Sequence, residues 1–342
     1  MKKIIVASLL IILISACKKQ SDLLPVESTI NEELTDAPPC TGNTWSLVAG
    51  WPFYVFPSNA EFDYVVFNAG NKLFAPCYAK QRMYIYDGVG WTFISSAVPW
   101  DYTRKHFTSF TVGDKGYVFN DDVYPKLFEY NTTTNTWTDK GFFTPASAGA
   151  RFALNSFVIG SKAYVAGGYY YGPQNYKDVW EYDPANNTWT QKSDLPPGTG
   201  GRAGGAGFTI NGKGYIAGGY HYFQGNPGSI SYNNEVLEYD PAADSWSSKA
   251  GYPGNMDLWS SYNAAAAFVI GSSAYVSLNG TNFYKYSPAT NLWSPSATLN
   301  TRAGDLNECT AVINSKGYVF NASGTNQMYK YTPKTCSGGT TP

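Results

Sequence analysis

The chain has little charge and almost no histidine. Only 14% of its 342 residues are Asp, Glu, Lys or Arg, the formal net charge is −1, and its two histidines are His106 and His221. A balance this near neutrality gives no bulk electrostatic reason to bind a polyanion such as nucleic acid. Two histidines, with no CxxC or HExxH spacing, leave no local metal-binding motif. Nucleophile elbows, P-loops and paired-carboxylate motifs are missing as well. The longest apolar run, IIVASLLIILI at 4–14, is too short to cross a bilayer. In place of these the chain has 28 Tyr, 19 Phe, 10 Trp and 34 Gly, a composition that suits short strands and tight turns rather than long helices.

That apolar run follows Lys2 and Lys3 and precedes ISAC, which ends at Cys17. It reads as the core of an export signal, and ISAC resembles a bacterial lipobox, which implies lipidation of Cys17. With Lys18 next to it, the resemblance implies an outer-membrane address facing either the periplasm or the surface. The expected organisation is a signal peptide at 1–16, a lipid-anchored tether at 17–39 rich in proline and acids, a folded domain at 40–336 and a tail at 337–342.

Within the folded domain the chain repeats itself. VWEYDPANNTW (179–189) returns as VLEYDPAADSW (236–246), and looser copies are MYIYDGVGW (83–91), LFEYNTTTNTW (127–137) and FYKYSPATNLW (283–293). A sixth copy, MYKYTPKTC (328–336), stops before its tryptophan. Upstream of each copy lies a hairpin such as FVIGSKAYVAGG (157–168) or FTINGKGYIAGG (208–219), with apolar alternation around a tight Gly, Asn or Ser turn. Four short strands recurring at this period are the mark of a propeller blade. The missing tryptophan is Trp45, in GNTWSLVAGWP (42–52). The expectation is therefore an all-β, six-bladed propeller whose last blade is closed by the N-terminal strand, leaving no open sheet edge.

An arginine before the first strand, YVAGG ending the second, EYDP in the third and NTW opening the fourth together resemble the kelch repeat. The double glycine survives only at Gly167-Gly168 and Gly218-Gly219. The same superposition of repeats puts Cys336 and Cys40 in one turn, within reach of a disulfide that an oxidising compartment would preserve. Cys77 and Cys309 fall in adjacent blades, either paired or as two thiols.

Counting eleven residues back from the turn lysine of each blade, or its equivalent, gives Glu61, Arg104, Arg151, Arg202, Tyr262 and Asp305, expected around the channel mouth. Arg104, Arg151 and Arg202 form an arc that either faces an anionic ligand or bonds neighbouring backbone. Two long loops, YYYGPQNYKD (169–178) and YHYFQGNPGSISYNNE (220–235), add Tyr170, Tyr171, Tyr220 and His221 on the same face. Aromatic, amide-rich loops on a rigid scaffold suit glycans or peptides. The expected function is thus binding of a glycan or protein ligand, with no cofactor and no metal. The alternative, by resemblance to the sialic-acid mutarotases, is a sugar mutarotase or epimerase acting on an acidic sugar. Glu61, Asp305, His106 and His221 would then be the candidates for moving a proton. Galactose oxidase is also kelch-type, but its copper chemistry needs a ligand set for which no local motif exists here.

Overall fold

The structure, a computed structural model, describes residues 42–50, 65–77, 81–100, 106–121, 125–143, 151–170, 174–197, 201–222, 230–255, 265–299, 310–321 and 327–334. Among these, the regular elements are all strands. They form six four-stranded antiparallel sheets and two short two-stranded ones. Blade 1 is Phe67–Ala69, Lys72–Cys77, Arg82–Tyr86 and Trp91–Ser95, and blade 2 is His106–Val112, Lys115–Asp121, Lys126–Asn131 and Thr136–Phe142. Blade 3 comprises Asn155–Ile159, Lys162–Ala166, Val179–Asp183 and Thr188–Lys192, and blade 4 Ala206–Ile210, Lys213–Ala217, Val236–Asp240 and Ser245–Lys249. Blade 5 runs Ala266–Ile270, Ser273–Ser277, Asn282–Ser287 and Leu292–Thr298. In blade 6, Thr310–Ile313, Lys316–Asn321 and Gln327–Thr332 are followed in the sheet by Thr44–Gly50, with Trp45 opposite Tyr331.

The repeated tyrosine and tryptophan have a single geometric meaning. Tyr86, Tyr130, Tyr182, Tyr239 and Tyr286 stand directly across from Trp91, Trp137, Trp189, Trp246 and Trp293 on the third and fourth strands. The ring centroids of these pairs are 4.7 to 5.3 Å apart, the cross-strand aromatic contact that stabilises antiparallel sheets. In blades 2 to 5 the residue two before the tryptophan closes the turn. Asn135, Asn187, Asp244 and Asn291 adopt positive φ, which a short polar side chain tolerates best. Each also accepts the hydroxyl hydrogen of its blade's buried tyrosine, at 2.6 to 3.1 Å.

The core is divided among the junctions between blades. One apolar cluster joins blades 3 and 4 through Phe157, Tyr164, Ile216 and Tyr239. Another joins blades 6 and 1 through Ala311, Tyr318, Met328, Leu73 and Tyr86. The connections from fourth to first strand and from second to third lie on one face, called the upper face below, because consecutive strands alternate in direction. The tight turns lie on the lower face.

Candidate functional site

The upper ends of blades 3 and 4 are built differently from the rest. Their second strands finish in the double glycines, with φ of +69° and +90° at Gly167 and Gly168 and of +69° and +106° at Gly218 and Gly219. A Cβ on Gly167 would stand 2.1 Å from the Arg202 carbonyl oxygen, so only glycine lets the two backbones approach. Gly168 N–H donates to that same oxygen at 2.7 Å. Asn155 completes the lacing between the blades: its Nδ2 donates to Arg202 O and Ala166 O, both at 3.0 Å, and its Oδ1 accepts from Gly205 N–H at 2.7 Å.

Beyond each glycine pair rises a small extra hairpin, Tyr169–Tyr170 with Gln174–Asn175 and Tyr220–Tyr222 with Ile230–Tyr232. Bridges Phe152–Tyr169 and Ala203–Tyr220 tie each hairpin to the loop that carries its blade's arginine. Phe152, Tyr169 and Tyr220 form a buried aromatic cluster, and Tyr170, Ile230 and Tyr232 cover it while remaining partly exposed. Tyr170 stacks on Phe152 with centroids 5.9 Å apart, and Tyr220 lies between Tyr169 at 5.8 Å and Tyr232 at 6.3 Å. Tyr220, expected on the binding surface, is instead a packing residue at 5% exposure.

Two of the three arginines, Arg151 and Arg202, are described, and both take the scaffold role that the sequence left open beside a ligand-facing one. Arg151 is fully buried. Its Nη1 donates to Asp178 Oδ1 at 2.8 Å and to Gly167 O at 3.3 Å, and its guanidinium lies 3.9 Å from the centre of the Tyr176 ring. Asp178 is held in turn by Trp180 Nε1 at 2.6 Å. Arg202, 1% exposed, donates from Nη2 to Glu235 Oε2 at 2.7 Å. Both guanidinium groups therefore brace their blades. The reason is physical: a buried cation must find a counter-charge, and the acid just ahead of the third strand supplies it. Those acids were visible in the sequence, as KDVWEYD (177–183) and NEVLEYD (234–240). The matching positions in blades 1, 2, 5 and 6 are Arg82, Lys126, Asn282 and Gln327, so this brace cannot form there from the same place.

His221 sits in the second hairpin opposite Ser231. Burial and the neighbouring Arg202 charge hold its imidazole below the usual histidine range. His106 lies on the first strand of blade 2 opposite Asp121, and its side chain is outside the description. Glu61, Arg104, Tyr171, Tyr262 and Asp305 lie outside the described residues, as do Cys17, Cys40, Cys309 and Cys336.

The axial channel is a cavity of about 530 Å³. The first strands line it with two successive rings. One is Val66, Ser109, Ser156, Gly207, Ala267 and Thr310, and the other is Asn68, Thr111, Val158, Thr209, Val269 and Val312. Among the described residues, no charged side chain is in this lining. Hydroxyls of the first ring serve the scaffold: Ser109 donates to Val66 O at 2.7 Å, Ser156 to Ser109 O at 3.1 Å and Thr310 to Ala267 O at 2.7 Å. Each of these bonds crosses from one blade to the next. Among the described residues no group of His, Cys, Asp and Glu could hold a metal ion.

Known proteins resemble the chain at two levels. The kelch motif family matches residues 150–196, which hold blade 3 and its arginine loop. Kelch-like protein 25 of Xenopus tropicalis is 27% identical over 219 residues, covering 59% of this chain and 33% of that protein. A kelch domain-containing protein of Sulfurisphaera tokodaii is 35% identical over 97 residues, covering 28% of this chain and 13% of its own length. The chain thus spans no more than about a third of these relatives. Among solved structures, that of YjhT superposes with a TM-score of 0.60 at 16% identity, over 84% of this chain and 96% of that one.

Proposed function

We propose that this kelch-type six-bladed propeller is a recognition module of the bacterial cell envelope, which binds a glycan or protein ligand on the upper face of blades 3 and 4. The observation that carries the reading is the pair of arginine-braced hairpins. Their partly exposed rings, Tyr170 and Tyr232, rest on a buried aromatic base. A rigid base makes such rings effective binding groups, because little conformational freedom is lost when a sugar face or an apolar side chain settles on them. Anchoring follows from the lipobox at Cys17, with residues 17–39 as tether and export as the precondition. A disulfide between Cys40 and Cys336 belongs to the same proposal.

The sugar-isomerase alternative loses support at one point. That reading has arginines of the arc hold the sugar's carboxylate, and the two described ones, Arg151 and Arg202, are already paired with Asp178 and Glu235. Of the acid–base candidates, the described site offers the side chain of His221 alone. Two experiments separate the readings. A glycan array covering neutral and sialylated oligosaccharides should yield binding that does not depend on the acidic group. Anomer-exchange NMR on any bound sugar should show exchange at the uncatalysed rate. Accelerated exchange would establish the isomerase.

A further inference from the structure

Among the described residues, the charge of the propeller is divided between two sides. Every ion pair between described residues falls in blades 2, 3 and 4. In these blades the buried hydroxyls of Tyr117, Tyr164 and Tyr215 donate to Glu129, Glu181 and Glu238, which stand directly across on the third strand. Lysines then surround the glutamates: Lys115 and Lys140 meet Glu129 at 2.7 and 3.5 Å, and Lys249 meets Glu238 at 3.1 Å. In blades 5 and 6 the same position is reversed in sign. Lys285 stands across from Tyr275 and Lys330 across from Tyr318.

Among the described residues only Asp87 offsets any lysine of blades 5, 6 and 1, and it feels the charge of Lys72 alone. Blades 5, 6 and 1 contribute Lys285, Lys316, Lys330, Lys334 and Lys72 toward the lower face, and Asp87 is the one described acid in those blades. Asp87 is itself occupied by the backbone N–H groups of Val89 and Gly90, at 2.8 and 3.0 Å. Lys72 and Lys316 open their second strands immediately after lower-face turns. Lys334 follows the third strand of blade 6, and its N–H donates to Asn43 Oδ1 at 2.8 Å where the chain joins the propeller. Five lysines on three adjacent blades make a broad basic sector rather than a pocket. Lysine, a mobile point charge, suits a diffuse anionic surface, whereas arginine forks suit defined oxyanions.

We propose that this lower-face sector of blades 5, 6 and 1 rests on anionic phospholipid headgroups, which turns the aromatic upper face away from the membrane. Charge complementarity is one argument. The other is position, since the 42 residues that precede Asn43 join the propeller at this sector. The inference does not depend on the acyl chain. It is tested on the full chain carrying Cys17→Ser, by co-sedimentation with vesicles of phosphatidylglycerol and phosphatidylcholine and with vesicles of phosphatidylcholine alone. The readout is the ratio of the two partition coefficients, which removes the contribution of the apolar run at 4–14. That ratio should exceed unity, fall with added salt, and drop about fivefold for each of Lys285→Gln, Lys316→Gln and Lys330→Gln. Lys177→Gln, on the opposite face of blade 3, should leave it unchanged. A ratio of one, or a ratio insensitive to all three substitutions in variants with unaltered circular dichroism, overturns the proposal. So does a ratio that exceeds unity only after Asp22, Glu27, Glu32, Glu33 and Asp36 are neutralised, which would assign the sector to the chain's own acidic tether.

Discussion

The ring of Phe157 lies over Gly214 of the next blade so closely that a Cβ on Gly214 would stand 2.1 Å from Phe157 Cε2. Phe67 over Gly116 and Phe268 over Gly317 repeat the relationship, at 2.0 and 2.3 Å. The intervening blades place alanine there, with Phe110 and Ala163 in one cluster and Phe208 and Ala274 in another. At the junction of blades 6 and 1 the sizes are exchanged, and small Ala311 shares its cluster with large Leu73. Gly214→Ala should therefore overpack the junction and cost about 1–3 kcal/mol, measured by urea denaturation. Adding Phe157→Leu should recover part of that loss.

Asn187 combines a left-handed backbone, φ +53°, with acceptance of the Tyr182 hydroxyl at 2.7 Å. Asn187→Gly keeps the backbone and forfeits the acceptor, whereas Asn187→Ala forfeits both. The expected order of melting temperature is wild type, Gly, Ala, with Ala costing about 1–2 kcal/mol more than Gly.

Trp45 packs 5.1 Å from Tyr331 and 5.0 Å from Phe283, and its Nε1 donates to Ala297 O at 3.1 Å. It thus joins blade 5 to blade 6 through the first strand of the chain. Trp45→Ala should lower stability by about 3 kcal/mol, and deletion of residues 41–50 should lower it further. A truncated protein that melts like the intact one would show that this strand does not support the ring.

Acid should weaken the lower face of blades 2 to 4. Burial raises the Glu129 carboxyl, but hydrogen bonds from Lys115 and Tyr117 and the charge of Lys140 outweigh it and hold the group below its ordinary value. The Lys162 hydrogen bond brings Asp183 down to about 2. Groups depressed in the folded state stabilise it fully above the unfolded carboxylate range, near pH 4, and that contribution disappears as pH falls through their folded values. Melting temperature should thus be flat above about pH 5 and fall steadily toward pH 2. Glu129→Gln should start lower and fall less.

The repeat was legible because it is local. Tyrosine, turn asparagine and tryptophan lie within eleven residues of one another, and the register Tyr182 to Trp189 follows from that spacing alone. The arginine brace was not legible in the same way, since Arg151 and Asp178 are 27 residues apart, and Arg202 and Glu235 are 33 apart. Each arginine, read with its counterparts on other blades, resembled part of a ligand arc. Only the fold brings the acid underneath it. Tyr170 and Tyr220 are alike as residues, yet Tyr220, bridged to Ala203 as Tyr169 is to Phe152, lies inside the aromatic cluster, while Tyr170, one residue beyond the bridge, lies over it.

Binding on the glycan array by wild type, by Tyr170→Ala with Tyr232→Ala, and by Asp178→Asn tests the account most directly. The double tyrosine variant should lose about tenfold or more in affinity while still melting cooperatively, with a loss of stability limited to the two ring contacts. Asp178→Asn, which strips the counter-charge from buried Arg151, should instead lose stability first and binding only as the hairpins loosen. Signal from the double tyrosine variant equal to wild type, or wild-type binding confined to sialylated glycans and lost in an Asp178→Asn protein that melts normally, would contradict the account.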